Sequence, residues 1–477
     1  MKSPSPPSPP SADQPDRPGN DAAYAACLRE LFLLKRFGVK LDLTFVRKAL
    51  ARLHDPHLAY PTVHIAGTNG KGSTAAMLER ILRSAGLNTG LFTSPHLCRF
   101  TERIQVAGTE IPQSAVCRLY EDVSAQDEGL TFFERTALMA FCHFAEQRVD
   151  IAVIETGLGG RLDVTNLIRP QASAIVQIAA DHTAYLGRHL TRIAWEKGGI
   201  CKPGVPVVLA PGAHPAVRAV LASCAAARSA VPIWHPQDFN VTVEPGGSII
   251  DGPYRYRSLR RNLRFPTLAL KGRHQLINGA VALALAEQLS LHHTLPDEAL
   301  RCGLADVRWP ARSELWTPVD GAPILLDACH NTGGTQALLR LLRDLRFERL
   351  VLVAGAMHDK DLNGTLGPLA ERADDIILTR ADYYRACAPQ KISARLKLEA
   401  ASPCLESDSG RALALARRKA RRRDLILVTG SVFLLGEIRA ALSGETRDPY
   451  QVTDPVSAPQ ERNDDLRPPR TVRHARL

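Results

Sequence analysis

The sequence predicts an α/β protein: a P-loop-type ATPase domain on a mostly parallel sheet, followed by a smaller Rossmann-like α/β domain. Three observations predict it. Short apolar, strand-like runs alternate with segments of helical periodicity, the pattern of parallel strands joined by helical crossovers. The first run leads directly into a glycine-rich turn carrying one lysine and then into a helix, the order in which a chain cradles phosphate. Near residues 306–310 the alternation stops and then restarts, which divides the chain into expected units over 21–308 and 309–442.

The elements follow in order. Residues 1–20, rich in proline and serine, read as a disordered tail without the apolar stretch of a signal peptide. Residues 22–53 read as helices around the apolar and basic patch 31–38. Strands are expected at 62–66, 89–93, 150–155, 174–179 and 205–209, with helices at 75–84, 135–147 and 191–198 between several of them. The 75–84 helix has apolar residues at 3–4 spacing and stops at Gly86. Residues 232–270 change character: 239–243 and 254–256 alternate like antiparallel strands, with Gly246-Gly247 between them, and so predict a flap. Helices return at 274–288 and 297–304. The second series supplies strands at 323–326, 350–354, 375–379 and 425–428, and the proline-rich, charged segment 443–477 reads as a second disordered tail.

Composition sets bounds on function. The 477 residues leave room for two or three domains, and 45% hydrophobic content is ordinary for globular protein. No apolar run reaches the ~18–20 residues of a membrane span. Ten cysteines are scattered without a C-x-x-C pair, which argues against zinc ribbons and for reduced, buried thiols; a cytoplasmic protein is expected. The net charge of +11 owes part of its excess to residues 417–423. These close a helical pattern from about Gly410, where cations complement the helix dipole, and no aromatic residues interleave them, so neither nucleic acid nor membrane is an expected partner.

In an open parallel sheet, ligands lie beyond the carboxyl ends of the strands, and four chemical groups fall there. Gly67-Thr-Asn-Gly-Lys-Gly-Ser73 follows the first strand, Ser94-Pro-His96 the second, Glu155-Thr-Gly-Leu-Gly-Gly-Arg161 the third and Asp181-His182 the fourth. Glycines turn the loop amides inward, Lys71 supplies a cation, and a hydroxyl, a carboxylate and an imidazole beside a triphosphate suit Mg²⁺. Each has a structural alternative: Ser94 as a turn cap, Glu155 paired with Arg161, His182 as a satisfied buried histidine. Lys197 reads as an ordinary helix lysine.

The run of motifs HIAGTNGKGST, TSPHLCRFTERI, LTFFERTALMAF, IETGLGGRLDVTN, DHTAYLG, IAWEKGGICKPG, GRHQLINGA and LLDACHN, over residues 25–442, resembles the folylpolyglutamate synthases and bifunctional dihydrofolate synthase/folylpolyglutamate synthases. These are ATP-dependent amide-forming ligases of the Mur-ligase superfamily, whose central domain the N-terminal unit would match. The resemblance implies ATP held by Gly67, Thr68, Asn69, Gly70, Lys71, Gly72 and Ser73, with Asn278, Arg312 and Asp327 completing the site. It implies Mg²⁺ at two sites, with Ser94, Glu155, His182 and Lys197 as ligands, the lysine as its carbamate. Lys71, Lys197, His182 and His330 are the implied catalytic residues, and Thr131, Phe132, Phe133, Glu134 and Arg161 fall where the acceptor binds. The implied substrates are L-glutamate and dihydropteroate or reduced folates, and a monomer serving folate biosynthesis and one-carbon metabolism is expected. A monofunctional synthase and another Mur-type ligase are the nearer alternatives, a P-loop kinase or nucleic-acid-dependent ATPase the more distant. The chain departs from the usual pattern with DACHNTGG for DGAHNP, Ala311 for a glycine before Arg312, and EKGG for EKAG.

Overall fold

The computed structural model describes residues 20–34, 43–126, 129–396 and 403–448. The expected N-terminal tail up to residue 19, the 35–38 part of the basic patch and residues 449–477 lie outside them.

The first sheet contains β1 (Thr62–Ala66), β2 (Thr89–Phe92), β3 (Ile104–Val106), β4 (Thr109–Glu110), β5 (Ile151–Glu155), β6 (Pro170–Ile175), β7 (Pro206–Leu209) and β8 (Val231–Trp234), in the order β4-β3-β2-β5-β1-β6-β7-β8. β2, β5, β1, β6, β7 and β8 run parallel, and β3 and β4 are antiparallel at one edge. Successive side chains of a strand point to opposite faces, so β5 serves two cores. Ile151 and Val153 pack with the helices Lys71–Ser84 and Arg273–Leu289, while Ala152 and Ile154 pack with Phe132–Glu146 and Asn20–Leu33. Both faces of the sheet are thus covered, and its central strands are apolar almost throughout.

An antiparallel sheet of β9 (Phe239–Ser248), β10 (Gly252–Ser258) and β11 (Asn262–Phe265) caps the first core through Phe239, Tyr254, Tyr256 and Phe265. The last sheet, in the order β12-β13-β17-β14-β15-β16, comprises β12 (Glu314–Trp316), β13 (Ile324–Asp327), β14 (Leu350–Ala354), β15 (Asp375–Leu378), β16 (Cys404–Leu405) and β17 (Leu425–Thr429). It is parallel except for β12.

Three expectations need correction. The strand expected at 174–179 lies at Pro170–Ile175, because Val176 pairs with Ala66 beyond the strand and Ala179 turns away to exchange hydrogen bonds with the Thr68 side chain. Gly246-Gly247 is not the flap's turn but part of β9. The turn is 249–251, where the Ser248 hydroxyl accepts the N–H groups of Ile250 and Asp251, offering the backbone a local partner. The chain does not leave the fold at residue 443: residues 444–448 pack back onto the N-terminal sheet's loops, and Asp448 is buried. Among the described residues no helix is long and apolar enough to cross a membrane.

Candidate active site

β2, β5, β1 and β6 are immediate neighbours, so the loops after them open side by side. They line one cavity of about 3170 Å³ together with loops of the C-terminal lobe. That exceeds the usual ~300–1,000 Å³ of a single-ligand pocket and leaves room for more than one substrate.

The turn after β1 ends at Gly70, φ +91°, and the helix Lys71–Ser84 starts at the next residue, earlier than the expected 75–84. A Cβ on Gly70 would stand 2.4 Å from Asn278 Oδ1, and one on Gly72 would stand 2.9 Å from the Trp309 ring. Asn278 and the interlobe Trp309 thus press on the turn from two sides, which side chains at those positions would prevent. Lys71 Nζ lies 3.5 Å from Glu155 Oε1 and 3.4 Å from the Thr68 carbonyl.

Glu155, at the end of β5, is buried and accepts the Ser94 N–H at 3.1 Å. Burial raises its pKa, opposed by Lys71, the Ser94 N–H and Arg312. The structural alternative for Glu155 does not form, since Arg161 pairs with Glu196 at 3.2 Å and lies over the Trp195 ring. His182 is exposed to the cleft at φ +49°; desolvation there, with Lys360 and Lys71, draws its pKa down to about 4 against the pull of Asp181. Lys197 is not a solvated helix lysine. It is 4% exposed, donates to the Gly67 carbonyl at 2.6 Å, and burial with Lys71 beside it lowers its pKa to about 7.

No three His, Cys, Asp or Glu among the described residues cluster as a ready metal cage. Mg²⁺ takes one or two protein carboxylates and fills its shell with phosphate oxygens and water. Glu155, Ser94 and His182 at the strand ends and Lys197 on the helix Leu190–Gly198 bring oxygen and nitrogen groups to the same cavity.

The C-terminal lobe reaches this wall at one carboxylate. Asp181 accepts from Lys360 Nζ at 2.9 Å and Asn331 Nδ2 at 2.9 Å, and His330 Nε2 lies 3.1 Å away. Burial works to raise its pKa, but His330, His182 and Lys360 hold it well below the usual carboxylate range. His330 Nδ1 lies 2.9 Å from the Ala328 carbonyl. Both ring nitrogens therefore face oxygen atoms, which fixes the His330 ring between the Asp181 carboxylate and the end of its own strand. Asn331 also caps the helix Thr332–Asp344 through the Gly334 N–H and exchanges amide hydrogen bonds with Asn69 of the phosphate turn. Thr332 fills the first helical position, where proline is favoured but not required, so the DACHNT departure leaves the turn intact.

Arg312 lies between two strained residues, Ala311 at φ +55° and Ser313 at φ +54°. Asp327 holds the second by accepting both the Ser313 N–H and its hydroxyl, at 2.9 and 3.1 Å. A glycine at 311 would relieve about 1–2 kcal/mol of strain. It would also lose a buried methyl, ~0.8 kcal/mol, and add chain entropy worth ~0.4–1 kcal/mol. The terms nearly cancel. Ala311→Gly should therefore unfold in urea within about 1 kcal/mol of the parent, whereas Ala311→Val should lose about 2 kcal/mol or more.

The residues expected at the acceptor site line the same cavity but divide in role. Thr131 and Glu134 form a reciprocal cap on the Phe132–Glu146 helix. Phe132 and Phe133 present rings, joined by residues to which the sequence reading gave no acceptor role: Leu33, Leu34, His96 and Arg103. Arg103 donates to His96 Nδ1 at 2.8 Å and stacks over Phe132. His96 stands in the loop after β2, where the strand-end rule had already placed it, and Lys360 stands in the loop after β14, where the same rule applied to the second sheet would have found it.

Two family models match the chain, the Mur ligase middle domain over residues 65–211 and the Mur ligase glutamate ligase domain over residues 311–432. The chain is 32% identical over 424 residues to the dihydrofolate synthase/folylpolyglutamate synthase of Bacillus subtilis, covering 85% of this chain and 96% of that protein. It is 33% identical over 429 residues to a probable bifunctional folylpolyglutamate synthase/dihydropteroate synthase of Haloferax volcanii, covering 87% of this chain and half of that longer protein. The crystal structure of the Yersinia pestis bifunctional folylpolyglutamate synthase/dihydrofolate synthase, complexed with AMPPNP and Mn ion, superposes with a TM-score of 0.80 at 30% identity, over 90% of this chain and all of that one. The shared two-lobed fold, the two domain matches and this near full-length identity establish that the chain belongs to the Mur ligase family of ATP-dependent amide ligases, in its folylpolyglutamate synthase/dihydrofolate synthase branch.

Proposed function

We propose that this chain joins L-glutamate to the carboxylate of dihydropteroate and of reduced folates, through an acyl phosphate, as a cytoplasmic bifunctional synthase. The observation that carries this reading is one cavity holding a glycine turn with a lysine, a buried carboxylate bonded to the Ser94 N–H, and an aromatic wall, with the second lobe meeting it at Asp181.

A carboxylate is a poor electrophile, and attack of its oxygen on the terminal phosphorus of ATP, with departure of ADP, corrects that. The glutamate amine then attacks the acyl carbon, loses a proton, and phosphate leaves. The protein's work is to position groups and neutralise charge. The loop amides, Lys71 and Arg312 serve the phosphates, while Asn278 and Trp309 brace the turn. Phe132, Phe133 and His96, with Arg103 beside them, offer flat apolar surface and a cation to a bicyclic, anionic acceptor. Magnesium, held by Glu155, Ser94, His182 and a Lys197 carbamate, would supply positive charge for the transferring phosphoryl group. Contact between the lobes limits water at the acyl phosphate.

Purified protein with ATP, Mg²⁺ and L-glutamate, offered dihydropteroate and tetrahydrofolate separately, should release ADP and yield each acceptor heavier by one glutamyl residue in mass spectrometry. Product from tetrahydrofolate alone would establish the monofunctional synthase. No glutamyl product from either, or ATP hydrolysis driven by nucleic acid, would sink the reading.

A further inference from the structure

The loop between β2 and β3 carries Ser94, His96 and Arg103, and its backbone is held in an unusual way. Glu102 folds back so that its carboxylate accepts three successive N–H groups, from Leu97, Cys98 and Arg99, at 2.7, 2.9 and 2.8 Å. The next donor in line, the N–H of the fully buried Phe100, is beyond its reach. That donor goes instead to Asp448 Oδ2 at 2.6 Å, from a residue 348 positions away. The same carboxylate oxygen accepts the Tyr24 hydroxyl at 2.9 Å, from the first helix, and the Asp448 N–H returns to the Cys98 carbonyl at 2.9 Å.

Three residues earlier, Glu445 lies between the lobes. One oxygen accepts from Arg99 of the loop at 2.9 Å, the other from Arg439 of the helix Val432–Ser443 at 2.8 Å. Arg99 in turn holds Glu110, and Arg439 reaches Glu314 at the start of the C-terminal sheet. Residues 444–448 therefore tie the loop to the first helix at one end and to the C-terminal lobe at the other. The Phe100 ring, anchored by this contact, packs edge-on against Phe132 and Phe32, with centroids 6.3 and 6.5 Å apart. A buried amide that loses its acceptor forces the backbone to move until it finds another, and here the rings behind the acceptor wall would move with it.

We propose that residues 444–448 form a strap that sets the acceptor pocket, with Asp448 as a positioning residue for the 94–103 loop. The proposal rests on the function proposed above and adds to it an element outside the cavity. It calls for an effect on the acceptor and little on the nucleotide, whose turn the strap does not touch.

The test uses the full-length chain and the substitutions Asp448→Ala and Asp448→Asn. Hydrogen exchange of a peptide covering 95–103 should speed up by about tenfold in Asp448→Ala, with no change in β14. The acceptor KM should rise by about tenfold, while kcat and the ATP KM stay within about twofold. Asp448→Asn keeps one acceptor oxygen for the Phe100 N–H and should recover most of both effects. Unchanged exchange at 95–103 overturns the strap, whatever the activity. Faster exchange there with an unchanged acceptor KM, or acceptor and ATP KM rising together, overturns its role in the pocket. If the parent chain makes no glutamyl product, the proposed function fails on its own, and the exchange measurement still decides the strap.

Discussion

Lys71→Ala should lower ligation on the order of 10²–10³-fold while the chain stays folded. Lys71 stands at the first position of its helix with its ammonium 3.5 Å from Glu155 and close to the Thr68 carbonyl, at the cleft wall rather than in a core cluster. The turn itself is held by other groups. Thr68 takes the Gln177 carbonyl at 2.7 Å, Asn69 and Asn331 exchange amide hydrogen bonds, and Asn278 presses on Gly70. Removing the lysine therefore removes charge from the transferring phosphoryl group and leaves the scaffold in place. Glu155 keeps the Ser94 N–H, although without Lys71 it titrates still higher. The measurements are single-turnover ADP release and urea unfolding. A cooperatively folded variant with near-parental turnover would refute the phosphate assignment, and a large stability loss would mark Lys71 as a structural residue.

The second large effect is expected at Lys197. A buried ammonium beside Lys71 is an unfavourable species, and burial with that neighbouring charge lowers its pKa to about 7. Neutral amine can add CO₂, forming an N–C bond and releasing one proton, which converts the cation into an anion able to join a magnesium shell. Lys197→Ala should cost on the order of 10²–10³-fold in turnover. Formate or acetate should partly restore it by placing a carboxylate where the proposed carbamate would stand. Carbon-13 NMR of the parent chain under labelled CO₂ should show a carbamate signal that the variant lacks. Parental activity in Lys197→Ala would refute a catalytic role, and a parent with neither signal nor rescuable variant would leave Lys197 as a lysine that only ties its helix to Gly67.

The layered α/β fold was legible because its signals are local. β1 and β14 lie where alternation and turn residues put them, since a strand buried on both faces must be apolar along its whole length. β6 was misplaced by four residues because 174–179 is as apolar as a strand, and only pairing with β1 and β7 decides where the ladder stops. The flap's turn was misread for a related reason. Two glycines are a strong local signal, but the Ser248 hydroxyl bonding to Ile250 and Asp251 placed the reversal beyond them.

By itself the sequence determined the chemistry available: a lysine in a glycine turn, a hydroxyl, a carboxylate and a histidine at successive strand ends. Order along the chain was enough, since parallel strands bring their carboxyl ends to one edge whatever lies between them. Only the tertiary structure decided which partners those groups take. Arg161 could have answered Glu155 by proximity in sequence, yet it pairs with Glu196, and Glu155 faces Lys71. Lys197 looked solvated, since its helix ends in an ordinary way, and packing of that helix beneath Gly67 buried it. Asp181 became the meeting point of both lobes, and Asp448 the acceptor for Phe100, through contacts spanning 149 to 348 residues. No local pattern encodes such pairs: a charge or a buried N–H shows that a partner is needed, but which residue answers depends on how the two lobes dock.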